Sequence, residues 1–296
     1  MPSNLKHTIP KAFGRPHQLK KRRLHTKANC SSYHPNDKGT QTVDTPSIVT
    51  KCKLVSPCER FDYRNLKPQP ELRYISSRQQ LQYWIKLLKG KTIGLDVVYV
   101  PRTNEMRISN SLLANKPALL QICDENVVLL IHLNQDFATT LPKAVIQLLC
   151  DPEITKVGVG IHNDCINLIR AYAGQFDEQN RVVRRPTSVL EIVDVARVIE
   201  PSSWPNSARP CLAVFCKRFL GTELDKNIDN HKGSWNDELT EDQMSYAAND
   251  VTSSLHIFLE IQRLAKGMGK TINVKELSQP INTPAICQKI LATKKS

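Results

Sequence analysis

Residues 239–264 decide the fold: they read LTEDQMSYAANDVTSSLHIFLEIQRL, which combines a helix start with a long run of apolar residues at helical spacing. Thr240, followed three residues later by Gln243, has the form of a capping box. Tyr246 and Asp250 then lie four residues apart, so they share one face of the helix. A phenol and a carboxylate on one helix face can contribute to a single site.

Two earlier acids extend this candidate site. The segment TIGLDVVYV (92–100) is a strand-like apolar run that contains one acid, Asp96, and packing alone does not explain a carboxylate there because burying it unpaired is costly. The segment KVGVGIHNDCINLIRAY (156–172) indicates a strand, a turn and a helix that begins near Asp164. The helix dipole alone would also favour an acid at that place. A strand acid, a helix-start acid and a mid-helix acid together are typical of an α/β protein that binds divalent cations.

These residues carry a resemblance to a known family. From about residue 72 to 265 the chain resembles the 3′-5′ exonuclease domain of the DEDD superfamily, in the subgroup with Tyr in its third motif and closest to the Werner-type and ribonuclease D-like members. Asp96 matches the Asp of the first motif, D-x-E, and Asp164 matches the Asp of the second. Tyr246 and Asp250 match the third motif, Y-x-x-x-D. The strings ALLQIC, GVGIHND, IVDVA and SWNDELTEDQ also stand where the family has similar ones.

The resemblance implies a metal-dependent hydrolase that removes nucleotides from 3′ ends with two Mg²⁺ or Mn²⁺ ions. By resemblance, Asp96 bridges both ions, Asp250 holds the ion that activates water, Asp164 supports the other ion, and Tyr246 orients the attacking water. Val98 stands where the family has its first-motif Glu, and it offers no oxygen to a metal. We therefore expect an exonuclease with impaired activity or, as the alternative, a catalytically dead nucleic-acid-binding pseudo-nuclease.

One further acid lies close to the matched motifs in sequence. Asp194, in SVLEIVDVARVIE, is either a cap at the end of a strand or a fourth acid near the site, and we predict an accessory role for it. His162 and Asn163 flank Asp164, and we interpret both as turn residues.

The remaining pattern predicts an α/β domain over residues 71–266. SSRQQLQYWIKLLKG predicts a helix with Ser as its N-cap, and ALLQIC and VVLLIHL, separated by DEN, predict a hairpin after TIGLDVVYV. Strands followed by helices favour an α/β fold. The resemblance implies a ribonuclease H-like mixed sheet, in which strands 1–3 are antiparallel and the later strands parallel, with helices on its faces.

Residues 1–70 are predicted to form a disordered basic arm. Residues 1–60 hold twelve Lys and Arg against three Asp and Glu, and they lack the apolar period needed to bury surface. Four consecutive cations, Lys20, Lys21, Arg22 and Arg23, form a candidate nucleic-acid-binding segment. The same cluster favours a nuclear localisation signal. A mitochondrial presequence is the less favoured alternative, because prolines interrupt the helix that it needs. The cluster is also compatible with a solvated tail that carries no targeting signal. Residues 267–296 are predicted to be a polar, basic tail.

The composition narrows the classes of partner. No apolar run approaches the roughly 20 residues that span a bilayer, so we expect no membrane segment. The net charge of +13 and the matched motifs indicate the single strand or 3′ end of DNA or RNA as the partner, with a separate helicase as a possible second one. Nine cysteines without a C-x-x-C pair predict free thiols in a reducing compartment.

Overall fold

The computed structural model of the protein describes residues 58–100, 116–133, 135–178, 182–183, 185–225, 234–278 and 281. These residues form a six-stranded mixed sheet with helices packed on both of its faces. The predicted α/β class and mixed sheet are confirmed.

Eight strands occur in the described residues: β1 (Glu71–Ile75), β2 (Thr92–Tyr99), β3 (Pro117–Cys123), β4 (Val127–His132), β5 (Thr155–Gly158), β6 (Asp177–Glu178), β7 (Val182–Val183) and β8 (Val189–Glu191). Six of them form the main sheet in the order β1-β4-β3-β2-β5-β8, while β6 and β7 pair separately. Strands β2, β3 and β4 are antiparallel as predicted, and β5 and β8 follow in parallel. Strand β1, which the sequence pattern did not predict, adds to β4 in parallel at one edge.

The helices are α1 (Arg78–Trp84), α2 (Lys143–Cys150), α3 (Ile161–Ala171), α4 (Ala173–Phe176), α5 (Ile192–Ile199), α6 (Leu212–Phe215), α7 (Glu241–Gly267) and α8 (Val274–Leu277). Helix α6 continues as a π-helical turn, Cys216–Leu220. The capping box predicted for α7 is present, and α1 also begins with one, formed by Ser77 and Gln80. Both boxes satisfy backbone N–H groups that a helix start leaves without partners.

The core consists of two layers, because successive side chains of a strand point to opposite faces of the sheet. The layer beneath α7, here called the α7 layer, includes Val98, Leu119, Cys123, Leu130, Ala247, Ala248 and Val251. The opposite layer, beneath α2 and α3, includes Leu95, Val97, Leu120, Ile122, Leu149 and Leu168. Asp96, which alternates with Leu95 and Val97, therefore lies on the face that α7 covers.

Residues 58–66, here called the strap, lie ahead of the predicted domain start and contact the core. Phe61 and Tyr63 are buried in the α7 layer. The backbone N–H of Phe61 donates to the carbonyl of Glu223 over 2.9 Å, and that of Tyr63 donates to the side-chain oxygen of Asn249 over 2.8 Å. The folded part of the chain thus includes residues that the prediction assigned to the arm. The reason is that two aromatic side chains are enough to attach a short segment to the core, although its apolar residues follow no helix or strand spacing.

The cysteines and the helix lengths bear on the remaining expectations. Cys123, Cys165 and Cys216 are buried free thiols, as predicted, whereas Cys211 is disulfide-bonded. Within the described ranges, no helix combines the length and the apolar character that crossing a membrane requires.

Candidate active site

Helix α7 brings Tyr246 and Asp250 to the sheet through an unusually close contact with β2. A Cβ atom added to Gly94 would lie 2.5 Å from the carbonyl oxygen of Val251 and 2.8 Å from the Sγ of Cys123. Only glycine permits so close an approach of two backbones. Since Asp250 directly precedes Val251 and Gly94 lies two residues before Asp96, this contact sets the two acids near one another.

The electrostatics connect Asp96 to the third motif. Burial raises the pKa of the Tyr246 phenol above its usual range, and the carboxylates of Asp250 and Asp96 raise it further. Tyr246 therefore stays protonated at neutral pH and keeps a hydrogen that it can donate. Its ring also lies beside Trp235, with 6.4 Å between the ring centroids. The structure thus brings Asp96, Tyr246 and Asp250 together.

Asp164 is held at the start of α3. Gly160 is the N-cap of this helix and has a φ of +77°, which favours glycine. Glu191, at the end of β8, accepts hydrogen bonds from the backbone N–H groups of Gly160 and His162, over 2.8 and 3.0 Å. Asp164 itself is 2% exposed. The Glu191 carboxylate thus fixes the turn from which Asp164 projects.

A second tyrosine connects Asp164 to β2. The phenol of Tyr99 donates to Oδ1 of Asp164 over 2.9 Å. Burial, and then the negative charges of Asp164 and Asp96, raise the pKa of Tyr99 far above its usual range. The β2–β3 register shifts between Val98 and Tyr99, and such a bulge re-aims the next side chain. Asp96 therefore acts electrostatically on two protonated phenols, each of which interacts with another acid of the site.

Val98 occupies the place of the missing acid. It lies two residues beyond Asp96 on β2 and pairs with Leu119 of β3, so its side chain is on the same face as that of Asp96. Its side chain belongs to the α7 layer and is 9% exposed. Val98 thus extends the hydrophobic core to the position next to the acids.

The structure places the other predicted residues as follows. Asp194 lies in the first turn of α5 and forms an ion pair with Arg197, which also donates to the carbonyl of Trp204 over 2.9 Å. Its predicted accessory role stays a prediction. The cations at 20–23 lie outside the described residues.

Three residues of the site carry no signal that the sequence pattern could detect. In the sequence, Tyr99 looks like one more apolar residue of a strand, and Glu191 looks like an ordinary polar residue at the end of a strand. Gln121 pairs with Asp96 across β2 and β3, is 1% exposed, and has no hydrogen-bond partner for either amide atom among the described residues.

Residues 72–266 match the family model described as 3′-5′ exonuclease, which is about two thirds of the chain. The chain belongs to the 3′-5′ exonuclease domain family. It is similar to the mouse bifunctional 3′-5′ exonuclease/ATP-dependent helicase WRN, with 27% identity over 187 residues, but the match covers 61% of this chain and only 11% of that protein. It is also similar to an Arabidopsis thaliana 3′-5′ exonuclease, with 26% identity over 223 residues that cover 73% of this chain and 70% of the relative.

The fold is also that of solved exonuclease domains. The Aedes aegypti Nibbler EXO domain superposes with a TM-score of 0.54 at 17% identity, covering 75% of this chain and 95% of that one. The family match over residues 72–266 confirms the predicted membership of the DEDD exonucleases, and the shared fold confirms the ribonuclease H-like sheet. Assignment to the tyrosine-containing subgroup stays a prediction, with which Tyr246 and Asp250 on one face of α7 are consistent.

Exonucleases of this family act on nucleic acids and depend on metal ions. In the part of the chain that the structure describes, no group of three or more His, Cys, Asp and Glu side chains is arranged to hold a metal ion. A two-ion centre of the kind that the resemblance implies also takes a fourth carboxylate, which is Val98 here. The side chains present do not fit a two-ion centre, and the ligand roles of Asp96, Asp164 and Asp250 stay predictions.

Proposed function

We propose that this protein binds 3′ ends of nucleic acids in a 3′-5′ exonuclease site and hydrolyses them very slowly. The observation that carries the proposal is the position of Val98. Its side chain lies on the same face as that of Asp96 and packs into the α7 layer, so hydrophobic core occupies the place of an acidic group. The fold and the third-motif phenol of Tyr246 are retained, whereas the first-motif carboxylate is not.

The loss of one carboxylate affects the reaction more than the binding of a strand. Phosphodiester hydrolysis builds negative charge on the attacking and leaving oxygens, and groups that neutralise this charge act mainly in the transition state. Removing one such group typically costs on the order of 3–4 kcal/mol of barrier, which is a factor of roughly 10² to 10³ in rate. We therefore expect affinity for a strand to persist.

A second candidate is a binder that has no hydrolytic activity. The lack of a metal-holding group of three His, Cys, Asp and Glu side chains, within the described ranges, favours it. In this case the same site would recognise a 3′ end and protect it instead of removing nucleotides from it.

Both candidates are tested with end-labelled oligonucleotides. Single-stranded DNA, recessed duplex DNA and RNA are incubated with the full chain in Mg²⁺ or Mn²⁺, beside Asp96→Asn as the negative control. Affinity is measured in parallel for linear and circular single strands of the same length, because a circle has no 3′ end.

The outcomes separate the candidates. Slow shortening from the 3′ end that Asp96→Asn abolishes supports the slow exonuclease. Tighter binding of linear strands without shortening supports the binder. Equal affinity for linear and circular strands, or rapid degradation by the wild type, would contradict the proposal.

Three further proposals concern the whole protein. We propose that residues 1–70 act as a basic arm, of which the strap contacts the core, and that residues 267–296, which include α8, act as a tail beside the exonuclease domain. The basic cluster at 19–25 supports nuclear localisation, which imaging of the full chain and of a variant without that cluster would test. The mouse relative contains a helicase as well as an exonuclease, which supports a separate helicase as the partner of this protein.

A further inference from the structure

Gln121 is a buried polar side chain whose place in the fold needs an explanation. It lies in the middle of β3 and is 1% exposed, and neither its amide nitrogen nor its amide oxygen has a hydrogen-bond partner among the described residues. A buried amide without partners destabilises a fold, and such groups commonly mark an ion, a water or a functional site.

The neighbours of Gln121 show which groups surround its buried amide. Leu119 and Cys123, two residues away on either side, belong to the α7 layer, so Gln121 also faces α7. Across the strands it pairs with Asp96 of β2 and Leu130 of β4. Directly opposed residues of antiparallel strands have Cβ atoms about 4.5–5.5 Å apart. The amide therefore lies next to the Asp96 carboxylate, beneath the helix.

Helix α7 packs over β3, and its apolar side chains in this layer cannot satisfy an amide. Ala247 and Ala248 are fully buried in the same layer, and their methyl groups offer no hydrogen bond. The polar groups that α7 brings to this region are the Tyr246 phenol and the Asp250 carboxylate, and both act electrostatically together with Asp96. The amide thus lies opposite one acid, Asp96, on the sheet face that is covered by the helix carrying the other acid, Asp250.

We propose that Gln121 supplies the amide oxygen of a single-cation site, in which Asp96 and Asp250 are the two carboxylate ligands. Amide and carboxylate oxygens are ordinary ligands of hard divalent cations. A set of two carboxylates and one amide contains only two side chains of the His, Cys, Asp and Glu types, so it is compatible with the lack of a group of three of these in the described residues. In this arrangement an amide on the neighbouring strand compensates in part for the acid that Val98 replaces.

This inference deepens the proposed function, since it concerns the same site, but it is tested without nucleic acid. Titration calorimetry of the full chain with Mn²⁺ alone should show one site. Gln121→Leu keeps the size of the side chain and removes its polar atoms. It should weaken Mn²⁺ binding at least tenfold while raising the melting temperature of the metal-free protein by roughly 2–4 °C, since an unsatisfied amide is removed.

Gln175→Leu is the matched control. The Gln175 side chain accepts from the Leu141 N–H over 2.6 Å and donates to the Leu141 carbonyl over 2.7 Å. The control should therefore lower the melting temperature and leave Mn²⁺ affinity unchanged. Gln121→Glu serves as a second variant and should tighten Mn²⁺ binding at least tenfold, because it adds a charged oxygen ligand.

Several results would overturn the proposal. The first is that the wild type shows two equivalent Mn²⁺ sites or none. The second is that Gln121→Leu binds Mn²⁺ with an affinity within twofold of that of the wild type. The third is that Gln121→Glu binds Mn²⁺ more weakly than the wild type does. If Gln121→Leu does not fold, Gln121 is needed for packing, and Gln121→Glu alone decides the question. If the single-cation site is refuted, the proposed binding of 3′ ends is still tested separately, because that assay measures the binding and shortening of oligonucleotides and not the binding of Mn²⁺.

Discussion

Replacing Val98 by Glu is the most direct test of why the site is incomplete. Val98 is 9% exposed and packs into the α7 layer, so the substitution removes valine methyl groups from the core. It also brings a carboxylate into a partly buried position. We expect the free energy of unfolding of the metal-free protein to fall by about 2–3 kcal/mol. For a domain of this size that loss lowers the melting temperature by roughly 4–12 °C.

Mn²⁺ should reverse this loss. The new carboxylate lies on the same face as Asp96, two residues along β2, where it can share a cation with that acid. At an Mn²⁺ concentration of about 100 times the dissociation constant, binding restores about 2.7 kcal/mol of stability. The rate of 3′-end removal should rise at least roughly tenfold, which takes only about 1.4 kcal/mol of barrier.

The assay compares wild type, Val98→Glu and Val98→Gln in thermal melts with and without Mn²⁺ and on end-labelled single strands. Val98→Gln is the matched control, because it has the same length and a polar end but no charge. It should lose stability and gain less rate and less Mn²⁺ protection than Val98→Glu, because a neutral amide oxygen attracts a divalent cation more weakly than a carboxylate does. If the wild type already degrades strands quickly and Val98→Glu changes nothing, the reasoning about the missing acid is wrong.

Three other perturbations test separate parts of the structure. Tyr99→Phe removes the donor to Asp164 and should lower the unfolding free energy by about 1–3 kcal/mol in urea titrations, whereas Tyr83→Phe, at an exposed position, should change it by less than about 0.5 kcal/mol. Burial lowers the pKa of Lys156 to about 8 from its ordinary value of 10.5, so the unfolded chain keeps this proton over a pH range where the folded chain has lost it. The stability of the wild type relative to Lys156→Met should therefore rise by about 2 kcal/mol from pH 8 to pH 10. Deleting residues 1–57 should flatten the salt dependence of single-strand affinity, by a log–log slope of about 0.7 for each phosphate that the arm contacts.

Each of these has an outcome that would contradict it. Equal stability losses in Tyr99→Phe and Tyr83→Phe would show that the bond to Asp164 contributes nothing. A difference between wild type and Lys156→Met that stays constant from pH 8 to pH 10 would mean that the three backbone carbonyls around the ammonium, those of Leu148, Asp151 and Ile154, keep its pKa near the ordinary value. An unchanged salt slope would mean that the arm makes no contact with the strand.

The parts of the fold that the sequence could predict are those in which local signals and tertiary packing agree. Helix α7 has a capping box and a long run of apolar residues at helical spacing. The sequence therefore predicted its start at Glu241 and the shared face of Tyr246 and Asp250. The sequence also predicted the β3–β4 hairpin from two apolar runs separated by a polar turn. In the structure the Asp124 side chain caps this turn by accepting hydrogen bonds from the Asn126 and Val127 N–H groups.

The parts that could not be predicted depend on contacts between distant segments. Strand β1 has five residues and gains its hydrogen bonds from β4, more than fifty residues later. The Tyr99 phenol reaches Asp164 because the β2–β3 register shifts next to it, and no local rule signals that shift. Gln121 is a single polar residue in a strand that is buried along its whole length, and its importance depends on which residue the neighbouring strand places opposite it.

The strap has a practical consequence for how the protein is studied. A recombinant fragment trimmed to the family match at 72–266 would begin after Phe61 and Tyr63, so it would leave their places in the α7 layer exposed to water. It would also remove the donor to Asn249, the residue immediately before Asp250. Weak activity or poor solubility of such a fragment would reflect the cut end and not the chemistry of the site. Expression that starts before Cys58 keeps the strap in place, because the described fold begins earlier in the chain than the family match does.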